Sequence, residues 1–271
     1  MASWKVLRAV AVGAFATLAT TMPAPTSVSL DSDNKIPMQH RLAYAGTTGM
    51  HVRWNPYSKL SKPSVRYGTS PYSLDMETSS NVSVTYQTST TYNNHVKITG
   101  LKPDALYYYR PIYDNCTTPY TFKTSKPAGD GSSVTVAVVV DLGTMGADEL
   151  TTHVGVGAAK PLRPGEVNTI ESLTNAKSSY DFLWHTGDIA YADHWLKEEI
   201  QKFLPNTSLA GGAAVYERIL NEFYDQMTAA TSEKSYMVGP GNHEAKLRQW
   251  WHHRPVDNHQ LHIFDLHAGP N

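Results

Sequence analysis

The sequence predicts an α+β protein of two domains, an N-terminal β-sandwich followed by an incomplete α/β layered domain. Residues 38–125 are rich in Thr, Ser, Tyr and Val, with short alternating runs and frequent turn residues, as in all-β proteins. Residues 125–133 then form a linker of Pro, Gly and Ser. Beyond the linker, continuous apolar runs alternate with helical periodicity, a pattern typical of buried strands in an α/β layer.

Period-two alternation predicts four strands in the first segment, at residues 51–54, 64–67, 95–98 and 106–110. Gly100, Leu101 and Pro103 precede the tyrosines of the last strand. This arrangement resembles the tyrosine corner of fibronectin-type-III and immunoglobulin-like sandwiches, in which Trp54 would fill the core. The tyrosines could instead form a carbohydrate-binding face, although large aromatic side chains usually serve packing.

The second segment predicts three fully buried strands, at residues 134–140, 180–185 and 236–238. A helix is predicted at residues 214–227, between the last two strands. Its apolar side chains recur at the spacing of one helical face, which comprises Val215, Ile219, Leu220, Phe223 and Met227.

The N-terminus has the layout of a signal peptide over residues 1–24, because Lys5 and Arg8 precede an apolar run at residues 9–19. No later segment is as long as a transmembrane helix, so we expect no membrane partner. The formal net charge of −1 gives no electrostatic case for a nucleic-acid partner. We therefore expect a secreted, extracellular protein.

Three Asn-X-Ser/Thr acceptors, at Asn81, Asn115 and Asn206, suit glycosylation on a secretory route. The single cysteine, Cys116, could be a free thiol, an intermolecular partner, or half of a disulfide whose other cysteine is absent. The sequence leaves these alternatives and the oligomeric state open.

Each predicted buried strand of the second segment ends at a polar turn. Asp141 follows the first strand, Asp188 and Tyr191 follow the second, and Asn242 and His243 follow the third. In open α/β sheets, ligand sites form at the carboxyl ends of strands, so these turns can converge. Carboxylate and amide oxygens suit hard metal ions, and a phenol becomes a strong ligand when a trivalent ion removes its proton. Asp188, on the middle turn, is the natural bridge between two cations.

These residues resemble the metal ligands of the calcineurin-like metallophosphoesterases, and Tyr191 narrows the resemblance to the purple acid phosphatases of the fungal type. In that family the residues matching Asp141 and Tyr191 bind Fe(III), the match of Asp188 bridges, and the match of Asn242 binds divalent Fe, Zn or Mn. His243 resembles the histidine that hydrogen-bonds the substrate phosphate or the leaving oxygen. The first family motif usually begins with Gly, where this chain has Val140.

The family also has three further metal-binding histidines, in Val-X-X-His and Gly-His-X-His motifs, and this sequence contains no Gly-His-X-His motif. Residues 246–271 instead hold five of the chain's 12 histidines, and no two of these have His-X-His spacing. Read one base later, the codons of Trp250, Trp251 and His252 must encode two glycines. We therefore interpret residues 246–271 as an aberrant, frameshifted tail.

The predicted organisation is a signal peptide at residues 1–24, a fibronectin-III-like domain at 36–125, a metallophosphoesterase domain at 134–245 and the aberrant tail. The resemblance implies an acid phosphatase that hydrolyses small phosphomonoesters by metal-bound hydroxide attack at a binuclear centre, with activity reduced by the missing histidines. The alternatives are a metallophosphodiesterase of the same superfamily and a non-catalytic extracellular protein that binds through its β-sandwich.

Overall fold

The computed structural model describes residues 33–145, 167–194 and 211–244. The predicted signal peptide, the acceptor Asn206 and the predicted tail at residues 246–271 lie outside the described residues. The other two glycosylation acceptors, Asn81 and Asn115, are exposed. None of the described helices is long and apolar enough to cross a membrane.

The described chain is mostly β-sheet with few helices. Its eleven strands, in chain order, are β1 (Arg41–Tyr44), β2 (Met50–Trp54), β3 (Ser64–Gly68), β4 (Met76–Ser79), β5 (Ser83–Val84), β6 (Asn93–Ile98), β7 (Leu106–Pro111), β8 (Tyr120–Lys123), β9 (Val136–Val139), β10 (Phe182–His185) and β11 (Ser235–Val238). The two α-helices are α1 (Thr169–Asn175) and α2 (Gly212–Thr231), and short 3₁₀ turns lie at Lys177–Ser179 and Ala192–His194.

The N-terminal part is a sandwich of two antiparallel sheets. One has the order β4-β3-β7-β8, and the other contains β5-β6-β2-β1. Trp54, Tyr109 and Phe122 are almost completely buried in the core between them. The hydroxyl of Tyr107 accepts a hydrogen bond of 3.0 Å from the Lys102 N–H, so the predicted tyrosine corner and the core position of Trp54 are confirmed.

The second part contains three parallel strands in the order β9-β10-β11, with α2 packed on one face. The predicted helix is confirmed and extends beyond both of its expected ends. Ile219, Phe223 and Met227 of α2 are fully buried against this sheet. The helix α1 begins with a capping box in which Asn168 and Glu171 exchange side-chain and backbone hydrogen bonds.

The sheet continues from one part to the other. Strand β1 of the sandwich pairs in parallel with β11 at Leu42 and Ser235, which gives one seven-stranded sheet in the order β5-β6-β2-β1-β11-β10-β9. Two hydrophobic cores nevertheless remain distinct, one inside the sandwich and one under α2. The predicted linker thus lies between the segments that form the two cores, although one hydrogen-bonded sheet includes strands from both parts.

Helix α2 is also held by the sandwich through polar contacts. The hydroxyls of Tyr86 and Thr88 donate hydrogen bonds of 2.7 Å and 3.0 Å to the two carboxylate oxygens of Glu217, which is buried. The guanidinium of Arg41 lies 4.3 Å from the ring centroid of Tyr224. These contacts fix the position of α2 relative to the sandwich.

The prediction of three fully buried strands is wrong for one face of the sheet. Val138, Val140 and Trp184 are 58%, 55% and 49% exposed. The face under α2 is covered, whereas no described layer covers the opposite face of β9 and β10, so alternate side chains of these strands reach the surface. We call Val138, Val140 and Trp184 the exposed apolar face.

We expect Tyr86→Phe to lower the free energy of unfolding by about 1–3 kcal/mol, because it leaves a buried carboxylate oxygen of Glu217 without its donor. Urea denaturation of the purified chain measures the change. The matched control is Tyr72→Phe, which removes a hydroxyl from a side chain that is 98% exposed and should alter stability by no more than ~0.5 kcal/mol. Equal effects of both variants would contradict this role for Tyr86.

We expect Trp184→Thr to reduce concentration-dependent self-association of the chain, because contiguous exposed apolar surface promotes association. Sedimentation velocity over a range of protein concentrations measures the effect. Tyr72→Thr removes an exposed aromatic ring outside the exposed apolar face and serves as the control. An unchanged distribution of species in Trp184→Thr would show that this face does not drive association.

Candidate metal centre

The polar turns after β9, β10 and β11 meet at one edge of the sheet. Pairing between the first two turns continues beyond the strands, since the Leu142 N–H donates to the Asp188 carbonyl at 3.2 Å and the Gly143 N–H donates to the Ile189 carbonyl at 2.9 Å. The turn after β11 joins them through the His243 N–H, which donates to Oδ1 of Asp188 at 2.9 Å. The convergence expected for parallel strands is therefore present.

Four of the five predicted site residues contact one another. The Tyr191 hydroxyl donates a hydrogen bond to Oδ1 of Asp141, and the ring centroids of Tyr191 and His243 are 4.5 Å apart. The backbone of His243 holds Asp188, as described above. Asn242 lies in the same turn as His243, with an exposed side chain. Two carboxylates, a phenol and an imidazole thus share one small region.

Three of these residues have unusual backbone conformations. Asp141, Asp188 and Tyr191 have φ angles of 53°, 51° and 49°, in the left-handed region that is uncommon for residues other than glycine and less unfavourable for Asp than for Tyr. Each such residue costs on the order of 1 kcal/mol and persists where the surrounding contacts fix it. Such conformations occur more often at functional sites, so this edge of the sheet is a candidate site.

Glycines allow the second and third turns to touch. Gly187 has a φ of +123°, and a Cβ atom built on it would lie 2.6 Å from the Cα of Gly241. A side chain at Gly241 would in turn meet the backbone and carboxylate of Asp188. The Gly-Asp and Gly-Asn-His-Glu patterns therefore need glycine at these positions for close backbone approach.

Glu244 holds the two turns together, a role that the sequence did not reveal. Its carboxylate accepts hydrogen bonds from the N–H groups of Asp188 at 2.9 Å, Ile189 at 2.8 Å and Gly241 at 2.7 Å. The side chain is buried, so these charge-assisted bonds replace its contact with water. Glu244 was visible only as the last residue of the Gly-Asn-His-Glu pattern.

Asp193 is a second residue that sequence reasoning missed. Its carboxylate oxygens lie 2.9 Å and 3.0 Å from Nδ1 of His243. This contact favours the tautomer with the proton on Nδ1 of His243. Asp193 follows the Gly-Asp-X-X-Tyr pattern by two residues, and nothing in the pattern marked it.

The electrostatics of this region suit a cation. Burial raises the pKa of Tyr191, and the hydrogen bond to Asp141 and the charges of Asp141 and Asp188 raise it further. A nearby trivalent ion reverses these effects and favours the phenolate. Within the described residues no three His, Cys, Asp or Glu side chains form a cluster that could hold a metal ion. Tyr191 and Asn242 would add oxygen donors to those of Asp141 and Asp188.

Comparisons with known proteins show which family this chain resembles. Residues 37–124 match the family described as the N-terminal domain of purple acid phosphatase. The chain is 39% identical over 227 residues to acid phosphatase A of Cryphonectria parasitica, which covers 82% of this chain and 44% of that protein. It is 29% identical over 253 residues to the acid phosphatase of Aspergillus ficuum, which covers 74% of this chain and 38% of that protein.

The fold has a counterpart among solved structures. The purple acid phosphatase PPD1 from yellow lupin seeds superimposes with a TM-score of 0.51 and 20% identity, over 77% of this chain and 36% of the lupin chain. The chain thus spans less than half the length of these relatives. The matching N-terminal domain and the fungal relatives support membership of this chain in the purple acid phosphatase family.

Proposed function

We propose that this protein is an acid phosphatase that hydrolyses phosphomonoesters at a binuclear metal centre. The observation that carries the proposal is the convergence of Asp141, Asp188, Tyr191 and His243 at the carboxyl ends of three parallel strands. The names of the fungal relatives support the same activity.

The donor set suggests how the metals would be held. Asp141 and Tyr191, which already share a hydrogen bond, would hold Fe(III), while Asp188 would bridge to divalent Fe, Zn or Mn held by Asn242. When bound, the metal pair would polarise the phosphoryl group and lower the pKa of a water molecule. Oδ1 of Asp188 accepts a hydrogen bond from the backbone N–H of His243, and this contact orients the carboxylate without a bound metal.

His243 is placed to act on the substrate. Its backbone is held by Asp188, its Nδ1 by Asp193, and its ring lies against Tyr191. The ring would hydrogen-bond the substrate phosphate or the leaving oxygen. An imidazole at this position could transfer a proton as the ester bond breaks.

Several further features form part of the proposal. We propose a secreted glycoprotein of two domains, supported by the signal-peptide layout of residues 1–24, by the exposed acceptors Asn81 and Asn115, and by the two separate cores. The physiological substrate would be a small phosphoester. The N-terminal β-sandwich would resemble fibronectin type III, as its tyrosine corner suggests.

The first test compares the full chain with Asp188→Asn after loading with Fe(III) and Zn²⁺. We expect the unaltered chain to release p-nitrophenol from p-nitrophenyl phosphate faster than from the bis-ester, and to show a tyrosinate-to-iron absorption band. Asp188→Asn should abolish both stoichiometric metal binding and hydrolysis, because the amide supplies a weaker bridge. The control, Asp75→Asn, alters an exposed aspartate of the sandwich.

The outcomes separate three functions. Faster cleavage of the bis-ester would identify a metallophosphodiesterase instead. Failure of the unaltered chain to bind either metal in stoichiometric amount would contradict the proposed centre and favour a protein that binds through its sandwich.

The second test concerns Asp193. We expect Asp193→Asn to lower kcat by roughly 10- to 100-fold, because the amide no longer favours the proton on Nδ1 of His243. The double variant Asp193→Asn/His243→Ala should be no slower than His243→Ala alone, because both changes disrupt the same Asp193–His243 pair. Additive losses in kcat would show that Asp193 acts independently of His243.

A further inference from the structure

Two histidines that the proposed function does not use are in contact on the outer face of the sandwich. His51 lies on β2 and His95 on β6, and these strands pair antiparallel over five residue pairs. The register makes the two side chains diagonal neighbours on one face of the sheet. Their chain neighbours Val52 and Val96 are fully buried in the sandwich core, so the histidines lie on the face that points away from this core.

The facing nitrogens of the two rings are close together. Nε2 of His95 lies 3.0 Å from Nδ1 of His51. The ring centroids are 4.7 Å apart and the ring planes are inclined by 45°, so the rings meet at an angle and not end to end. Each residue is partly exposed to solvent. Two imidazole nitrogens at this separation can share one hydrogen bond or one metal ion.

The separation of the two nitrogens favours one coordination geometry. With metal–nitrogen bonds of about 2.0–2.1 Å, two nitrogens at right angles around a square-planar ion are roughly 2.9 Å apart, and two around a tetrahedral ion are roughly 3.4 Å apart. The observed 3.0 Å is closer to the square-planar value. Square-planar coordination by nitrogen and oxygen is typical of Cu²⁺, which also binds such sites more tightly than Zn²⁺ does.

The charges around the pair disfavour ions that bind mainly by electrostatic attraction. Arg53 and Lys97 lie on the same face of the two strands, opposite His95 and His51. Hard cations such as Ca²⁺ and Mg²⁺ prefer carboxylate oxygens and gain nothing here. Burial, the charge of Arg53 and the neighbouring His51 lower the pKa of His95 to about 3, so this imidazole is neutral at neutral pH, which is the form that binds metal.

We propose that His51 and His95 form a further metal site, which binds Cu²⁺ through Nδ1 of His51 and Nε2 of His95. Among the residues that the structure describes, no third His, Cys, Asp or Glu side chain joins the pair, so water would complete the coordination. The ring that donates the shared hydrogen bond would move its proton to its other nitrogen by exchange with water, so that both lone pairs face the ion. The site shares no residue with the candidate metal centre and does not rest on the proposed function.

The first experiment adds Cu²⁺ to the ¹⁵N-labelled full chain and follows the backbone amide signals by NMR. Paramagnetic Cu²⁺ broadens the signals of nearby amides. We expect the signals of Val52 and Val96 to disappear early in the titration, while the signal of Thr121 on β8, in the opposite sheet, remains. Broadening that spares Val52 and Val96 would overturn the proposal.

The second experiment measures the affinity from the same two amide signals, which do not report Cu²⁺ bound elsewhere in the chain. His51→Gln and His95→Gln should each weaken binding by more than about 10-fold, since even residues that only orient a ligand change metal affinity by 10- to 100-fold. The double variant should bind no more weakly than either single variant, because loss of one histidine already removes the paired ligands. His262→Gln is the matched control and should leave the affinity unchanged.

The remaining outcomes decide against the proposal in different ways. An unchanged affinity in His95→Gln, or equal weakening in His262→Gln, would show that the pair does not hold the ion. Additive losses in the double variant would show that each histidine binds an ion of its own. Tighter binding of Zn²⁺ than of Cu²⁺ at the pair would overturn the assignment of the ion. The amide spectrum shows directly whether a variant is folded, and the titration of the unaltered chain decides the question without any variant.

Discussion

The carboxylate of Glu244 accepts three backbone hydrogen bonds from two different turns, and the geometry of the candidate centre depends on them. The Asp188 turn carries two residues with positive φ, so its shape comes from external contacts. The glycine contact between Gly187 and Gly241 brings the turns close enough for Glu244 to reach both. Loss of this carboxylate would leave three buried or partly buried N–H groups unpaired. The turns that carry Asp188 and His243 would then no longer be held in fixed relative positions.

Contacts made by helix α2 also hold this edge of the sheet. Helix α2 packs its apolar face on the parallel strands and carries Glu217 and Tyr224 to the sandwich. Its side chains Tyr216 and Leu220 also line a small cavity next to Asp193 and His243. The sandwich, the helix and the candidate centre therefore form one continuous set of contacts. A view of the sandwich as an independent binding module does not account for this packing.

Much of the fold was predictable because its strands and α2 follow strong periodic patterns. Trp54 and the tyrosine corner located the sandwich core, and the apolar spacing of α2 located its buried face. Two features were beyond sequence reasoning for physical reasons. The pairing of β1 with β11 joins segments almost 200 residues apart, and no local pattern encodes such a contact. The exposure of Val138 and Trp184 depends on which layers cover the sheet, whereas periodicity reports only that the side chains are apolar.

The candidate site was also only partly predictable from the sequence. The residues that supply chemistry stood out in the sequence because their types and strand-end positions are unusual in combination. Asp193 and Glu244 did not, because each acts through a contact with another turn, and an isolated carboxylate near a helix or loop has many ordinary roles.

The sheet shared by the two parts has a consequence for how this protein loses its structure. Strand β1 contributes Leu42 to the sandwich core, while Arg41 on the same strand contacts α2 above the other core. Melting of β1 would therefore expose part of both cores at once, and the two parts are expected to unfold as one cooperative unit. Limited proteolysis within the linker would then cut the chain without releasing a folded sandwich. The linker marks a boundary in the sequence, but the parts on either side of it do not unfold independently.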